Sequence, residues 1–487
     1  MLNKSLKQLL CNVEVVDNNI NLKTKISKLC INSNECSKNC LFFCINGFSA
    51  NGANYVNEAI NNGASVIIAE TKLNDKIPHI IVKNIREALS IISQNFFNNS
   101  HKKLKLIGIV GTNGKTSTAK IMKSMLSNTK QKVGFIGTNM VEYGKEKLDI
   151  SLTTPDPIEL NKYFYNMVKS KIKYCIMEVS AHAIFLKKVY GLKYESLIFT
   201  NISQDHLDFF KDMETYSRVK IDFFDIQNTK SAVINIDDEY SSKALKNFKG
   251  KVLTYGLNNP SDIFAVNINL DLSGSNFIVN SCDYIFPVKT RLCAKFNVYN
   301  ILACIGVIKL LKFNDKDIEE STQNLTTIEG RFNQVDLGQP FKVIIDYAHT
   351  PKSLENLLIE VKNLSNNKII SVFGCPGNRD ETKRKIMGEI AGRYSDYIIL
   401  TTDNPQYENA KNIIKEIQKG IKKTKSRCEL IEDRELAIRR AFQLADDNTT
   451  ILIIGKGVEK YQNINGFKVP YSDFKVTERL IKDEFIK

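Results

Sequence analysis

The amino-acid sequence predicts an α/β protein of three domains: a smaller N-terminal α/β domain, a central P-loop-type α/β domain and a C-terminal Rossmann-like α/β domain. Three observations predict it. The chain has 487 residues, more than one hydrophobic core holds. From Leu104 onward, short apolar runs alternate with segments of helical spacing, the signature of βα units on a mostly parallel sheet. After Asp336 the same alternation begins again, and each apolar run closes on a polar or Gly-containing loop. The expected boundaries are 1–103, 104–335 and 336–487.

The elements follow in chain order. In the first block "CLFFCI", "SVIIAE" and "HIIVK" read as short buried strands, with a helix at "YVNEAINNGA". "NNSHKK" is a polar break suited to a linker. In the second block come the strand "KLIGIV", the helix "STAKIMKSMLSN", and the strands "YCIMEV", "SLIFTNI" and "SAVINI". The third block supplies "KVIIDYA", "KIISVFGC", "YIILTTDN" and "TILIIGKG", whose loops gather at one sheet edge. In open α/β sheets that edge is where ligands bind.

Composition narrows the function classes. A formal net charge of +15 raises a nucleic-acid partner, but the lysines are scattered and no aromatic-basic motif accompanies them. A mildly positive field also suits anionic substrates. The start, with Lys4 and Lys7 interrupting it, is neither a signal peptide nor a membrane span, and no later window is long and apolar enough to be one. The 11 cysteines are odd in number and dispersed, which fits a reducing, cytoplasmic setting. Cys30, Cys36, Cys40 and Cys44 cluster without a C-x-x-C pair. They are expected as small buried apolar side chains rather than zinc ligands.

The strongest local signal is "IGIVGTNGKTSTAKIMKSML" (107–126). A buried strand ends in Gly111, Thr112, Asn113, Gly114, Lys115, Thr116 and Ser117, and an amphipathic helix follows. Glycines let backbone N–H groups close around phosphate oxygens, and the helix N-terminus favours the anion. Lys115 supplies a point charge for the β/γ oxygens of ATP, and the Thr116 hydroxyl reaches Mg²⁺. The spacing departs from the strict Walker pattern, with Ile109 where its first Gly would stand. Two further strand ends carry Glu178 in "YCIMEVSAHAI" and Asp205-His206 in "SLIFTNISQDHLDFF". Beside a phosphate loop they are candidate Mg²⁺ ligands, although imidazole is not a usual one. His182 is a weaker candidate for positioning substrate.

The loop "GTNGKTS" is followed in order by "MEVSAHA", "FTNISQDHLD", "YSRVK", "KFNVYN", "EGRFNQV", "DYAHTP", "GNRDETKR", "DNP" and "GKGVE". Together they resemble the Mur ligases of peptidoglycan synthesis, and among these the branch that adds the third residue of the peptide. The N-terminal stretch from Ile31 to Glu70 is also similar to that branch's UDP-sugar-binding domain.

The resemblance implies an ATP- and Mg²⁺-dependent enzyme joining an amino acid to UDP-N-acetylmuramoyl-L-alanyl-D-glutamate through an acyl phosphate. It implies no nucleic-acid partner and no membrane insertion, and a monomer is expected. Lys115, Glu178, His206 and Lys220 are the implied catalytic residues. Lys220 matches a lysine the family carbamylates, which joins Thr116, Glu178 and His206 as a metal ligand. Asn300, Arg331, Asp346 and His349 match residues on the ATP side, with Tyr347 beside them. Ser33, Thr153, Thr154, Ser180 and Lys188 match contacts to the muramoyl peptide. Arg379, Asp403, Asn404, Pro405, Gln406, Gly455 and Glu459 match the amino-acid pocket.

The sequence departs from the family pattern in several places. Asn34 and Lys188 stand where Arg is usual, Ala181 where Ser is, and Phe210 and Val458 where His is. Pro376 and Asn378 replace Gly and Asp. Most consequential is Gln406, where diaminopimelate-adding ligases carry an Arg that pairs with the distal carboxylate. Meso-diaminopimelate is the expected amino acid and L-lysine the alternative. More distant readings are a ligase like folylpolyglutamate synthase, the D-Ala-D-Ala-adding Mur ligase, a basic P-loop ATPase on nucleic acid, and a non-catalytic binding protein.

Overall fold

A computed structural model describes residues 2–47 and 51–485; residues 48–50 of the N-terminal stretch lie outside it. Three sheets follow one another along the chain. The first has five strands, ordered Val15–Asn18, His79–Val82, Ala64–Ala69, Cys40–Phe43 and Lys28–Cys30. The expected helix is short, Val56–Asn61, because a 3₁₀ turn over Gly52–Tyr55 precedes it. All four clustered cysteines are buried in this block's core.

"NNSHKK" is not a free linker. Asn98 and Asn99 take left-handed φ angles of 59° and 50°, and Ser100–Lys103 then winds into a 3₁₀ turn with Ser100 and His101 buried. The Asn pair supplies the reversal that few other side chains tolerate, and the turn packs on the helix Pro157–Lys169.

The central sheet has 11 strands. Its middle is parallel: Val133–Gly137, Tyr174–Val179, Lys105–Val110, Ser196–Phe199, Ser231–Asn235 and Lys251–Gly256. Continuous apolar runs build it because helices cover both faces. Antiparallel Met140–Tyr143 and Glu146–Asp149 extend one end; at the other Ile263–Asp271 joins parallel to Lys251–Gly256, and Gly274–Ser281 and Tyr284–Thr290 follow it antiparallel. The chain leaves Lys105–Val110 in one direction and later returns to its other side, so a topological switch point falls at the end of that strand.

The third sheet has six strands, with Lys342–Asp346, Thr449–Ile454, Lys368–Phe373, Tyr397–Leu400 and Arg427–Leu430 parallel in that spatial order. Its antiparallel edge strand, Asn333–Val335, pairs with Lys342–Asp346, so pairing into this sheet starts three residues before Asp336. No helix among the described residues is long and apolar enough to cross a membrane.

Candidate active site

The phosphate loop occupies the central switch point. Gly111 cannot carry a side chain, since a Cβ there would lie 1.9 Å from Thr200 Oγ1. Gly114 closes the turn at φ +83°, and the helix Lys115–Asn128 starts from it. The neighbouring strand end ties the loop down: Thr112 N donates to Asn201 O (2.8 Å) and Asn113 N to Asn201 Oδ1 (2.9 Å). Lys115 Nζ lies back over the loop, donating to Gly111 O and Thr112 O at 2.9 and 2.8 Å. Burial pushes its pKa below the ordinary lysine value, opposed by Glu178 and Asp205. Asn300 Oδ1 accepts from Thr118 Oγ1 at 3.0 Å, buttressing the first helical turn. Ser117 is buried in that turn.

On the other flank Glu178 is fully buried. Its carboxylate accepts from Thr116 Oγ1 (2.9 Å), Thr138 N (2.9 Å) and Thr138 Oγ1 (3.1 Å). These donors are all uncharged, and no ion pair to Glu178 occurs among the described residues. Lys115 and Lys120 act on it only through space, and a buried carboxylate without a contact partner of opposite charge is costly. With a hydroxyl 2.9 Å away it forms the hard-oxygen set that suits Mg²⁺, so the residues present fit that ion. Thr153 Oγ1 lies 3.2 Å from Thr138 Oγ1. Thr154 is buried and donates to Glu178 O at 2.8 Å, so its hydroxyl positions the strand end. Ser180 caps the next helix through Ala183 N.

Lys220 is 1% exposed. Its Nζ donates to Tyr216 OH (2.5 Å) and Thr112 Oγ1 (3.1 Å), so the lysine touches the phosphate loop. Burial, reinforced by the charge of Lys115, drives its pKa well below the ordinary value, favouring a neutral, nucleophilic amine. His206 takes a left-handed φ of 55°, and burial holds it neutral with a pKa of about 3. It stacks edge-on with His182 (4.7 Å between centroids), against which Phe210 also packs. Lys188, at a position of departure, pairs with Asp156 at 2.8 Å, one residue beyond the "TTP" segment.

The third sheet faces this cluster with its own strand ends. The Asp346 carboxylate accepts from Phe332 N (2.6 Å) and Ala348 N (2.7 Å), and burial raises its pKa. His349 is half-buried, and desolvation lowers its pKa to about 4. Arg331 donates through Nη2 to Thr116 Oγ1 (3.1 Å) and stacks over Tyr347 at 4.4 Å. Its Nε is buried without a partner among the described residues, a donor left for a nucleotide. Tyr347 OH donates to Glu459 Oε1 at 3.3 Å. Glu459 Oε2 in turn accepts from Asn404 Nδ2 and Lys456 Nζ, both at 2.8 Å. A continuous polar chain thus runs from Glu178 through Thr116, Arg331 and Tyr347 to Glu459 and Asn404.

Asp403 is buried behind that chain, with its pKa raised by burial and opposed by Lys456 and Arg434. Gly455 has φ +115°, and a Cβ on it would sit 2.6 Å from Asp403 Oδ2. Pro405 is buried in the turn, and Gln406 follows at φ 55°. The backbone of Gln406 is pinned to the hairpin Tyr461–Pro470, its N donating to Asn463 O (2.9 Å) and its O accepting from Asn465 N (2.6 Å). Arg379 is exposed, and its charge is felt at His182. A cavity of about 870 Å³ joins the two halves, with Thr116 and Thr138 on one wall and Val458 and Glu459 on the other.

Ser33 lies apart, in the N-terminal block. It is buried and donates to Glu58 Oε2 at 2.8 Å, while Asn34 beside it is exposed. Sequence reading missed Lys456, Thr138, Asn201 and Tyr216. Lys456, Asn201 and Tyr216 stood inside the quoted "GKGVE", "FTNISQDHLD" and "YSRVK", and their place in those motifs was the available signal. Thr138 has no motif of its own and is recruited by strand order.

Comparison with known proteins agrees along the chain. The Mur ligase middle domain matches residues 109–308, the Mur ligase glutamate ligase domain 330–457, and the Mur ligase family catalytic domain 25–105. A protein of Caldanaerobacter subterraneus subsp. tengcongensis named UDP-N-acetylmuramoyl-L-alanyl-D-glutamate–2,6-diaminopimelate ligase is 39% identical over 465 residues, covering 95% of this chain and 96% of its own. One of the same name from Clostridioides difficile is 37% identical over 480 residues, covering 98% and 99%. A solved structure of that name superposes with a TM-score of 0.71 at 26% identity over 99% of both chains. The folylpolyglutamate synthase of Mycobacterium tuberculosis shares the fold (TM-score 0.64, 14% identity) over 76% of this chain and 92% of its own.

Proposed function

Since the chain belongs to the Mur ligase family, we propose that it joins meso-diaminopimelate to the γ-carboxylate of D-Glu in UDP-N-acetylmuramoyl-L-alanyl-D-glutamate, consuming ATP. The observation that carries the proposal is the polar chain from Thr116 of the phosphate loop through Arg331 and Tyr347 to Glu459 and Asn404, with Thr116 and Glu459 lining one cavity. In this reading it links a phosphate-binding site to a site for an amino acid's charged end, on either side of one reacting carboxylate.

The D-Glu carboxylate attacks the γ-phosphorus of ATP, and ADP leaves. The amine of the incoming amino acid attacks the acyl phosphate, and the tetrahedral intermediate collapses to the amide with loss of phosphate and a proton. Such chemistry needs charge neutralisation and alignment. Lys115 moves from its loop carbonyls to the β/γ oxygens, and Arg331 offers its unpartnered Nε. Glu178, Thr116, His206 and a carbamylated Lys220 would hold Mg²⁺, which neutralises phosphate charge. Neutral Lys220 is the form that adds CO₂ to become a carbamate. Glu459 takes the amino acid's ammonium and Arg379 its carboxylate, with Asn404 between them. Closing the third sheet over the site excludes water from the acyl phosphate.

Gln406 supports a second reading, with L-lysine as the added amino acid. This reading takes the enzyme to be cytoplasmic and monomeric. The deciding experiment supplies ATP, Mg²⁺ and the UDP-muramoyl dipeptide with either amino acid and weighs the product by mass spectrometry. No product with either, or ATPase activity stimulated by DNA alone, overturns the proposal.

A further inference from the structure

The N-terminal block holds a cluster that the ligase reading does not use. The Sγ atoms of Cys30, Cys36 and Cys40 all lie within 4.8 Å of one another, and among the described residues no other three His, Cys, Asp or Glu side chains come together this closely. They are 1%, 9% and 0% exposed, and none is in a disulfide. Their spacing, with five residues and then three between them, gave no reason to expect this. Strand pairing produces it: Lys28–Cys30 runs parallel to Cys40–Phe43, with Lys28 opposite Cys40 and Cys30 opposite Phe42. The 3₁₀ turn Ser33–Glu35 then folds Cys36 back over the pair.

We infer that Cys30, Cys36 and Cys40 form a thiolate site for a soft d¹⁰ cation of the zinc class. Thiolates select such ions over Mg²⁺. With Zn–S bonds of about 2.3 Å, the sulfurs of a tetrahedral centre stand about 3.8 Å apart. Side-chain rotation closes a gap of that size without moving the strands. The Glu35 carbonyl, 3.4 Å from Cys30 Sγ, borders the fourth position. Lys28 Nζ donates to the same carbonyl, so a cation stands beside the net negative charge of three thiolates on one Zn²⁺. Binding releases three thiol protons to solvent and changes no oxidation state. The ion braces the turn that carries Ser33 against the sheet.

The test uses the reduced, full-length protein, freed of metal by a chelator, and titrates it with Co²⁺ as a spectroscopic stand-in and with Zn²⁺. One equivalent of Co²⁺ is expected to give a sulfur-to-cobalt charge-transfer band that Zn²⁺ abolishes, and Zn²⁺ to raise the Tm. Cys36→Ser, at the rim of the cluster, should lose most of the band while remaining folded by circular dichroism. Cys44→Ser and Cys11→Ser should keep it. Absence of the band in wild type, or its full retention in Cys36→Ser or Cys40→Ser, overturns the proposal. The readout is metal binding alone, so it stands or falls apart from the ligase reading.

Discussion

Replacing Gln406 by Arg is expected to lower the KM for meso-diaminopimelate by 5- to 150-fold relative to that for L-lysine. Both substrates share an amino-acid end, which Glu459, Asn404 and Arg379 address, so a residue that separates them must act on the distal end. Diaminopimelate has a carboxylate there and lysine has none. A Gln amide offers that carboxylate a neutral hydrogen bond, whereas a guanidinium offers a bidentate charge-assisted pair. The difference is about 1–3 kcal/mol, which sets the range of the expected ratio. The structure makes the substitution clean. The backbone of Gln406 is held at φ 55° by Asn463 and Asn465, and both Gln and Arg bear the same left-handed strain, so the side chain alone changes. Initial-rate measurements with each amino acid at saturating ATP and dipeptide give both KM values. An equal change for the two would refute the reasoning and remove Gln406 from the specificity argument.

Other predictions concern burial and strain. Lys220 is lowered by burial, so the unfolded chain binds the proton that the fold excludes, and unmodified Lys220 costs stability at neutral pH. With bicarbonate removed, Lys220→Met should raise the denaturation midpoint at pH 7, and its advantage over wild type should shrink as pH rises toward 10.5; a pH-independent gap would contradict this. His349 is neutral in the fold with a pKa near 4 against an ordinary 6.5. The stability this supports is complete above pH 6.5 and is lost as pH falls toward 4, so His349→Gln should flatten urea midpoints across that window. Gly455→Ala meets Asp403 Oδ2 at 2.6 Å in a backbone conformation disfavoured for alanine. It should cost about 1–3 kcal/mol of stability and raise the amino-acid KM more than the ATP KM, as thermal melts and kinetics would show.

The sequence by itself determined the most apolar strands, the phosphate loop, the family and the residue types at those strand ends, whereas the more mixed Val133–Gly137 and Lys251–Gly256 and the antiparallel extensions of the central sheet were not legible in it. The legible features are local properties: apolar runs of strand length, a Gly-rich turn before a helix, and ordered motifs. Tertiary structure alone decided which ends meet. Glu178 and Asn201 flank the phosphate loop because the chain crosses at Lys105–Val110, placing strands distant in sequence on either side of it. Lys220 reaches Thr112 across 108 positions. Strand order likewise gathered Lys456, Asn404 and Glu459 into one hydrogen-bonded group. Packing on the helix Pro157–Lys169 buried Ser100 and His101 of "NNSHKK", and strand pairing converged three cysteines whose spacing matched no metal motif. Hydrophobic periodicity reports which face of an element is buried, not which neighbour buries it. Long-range pairing supplies that information, and the site is made of long-range pairs.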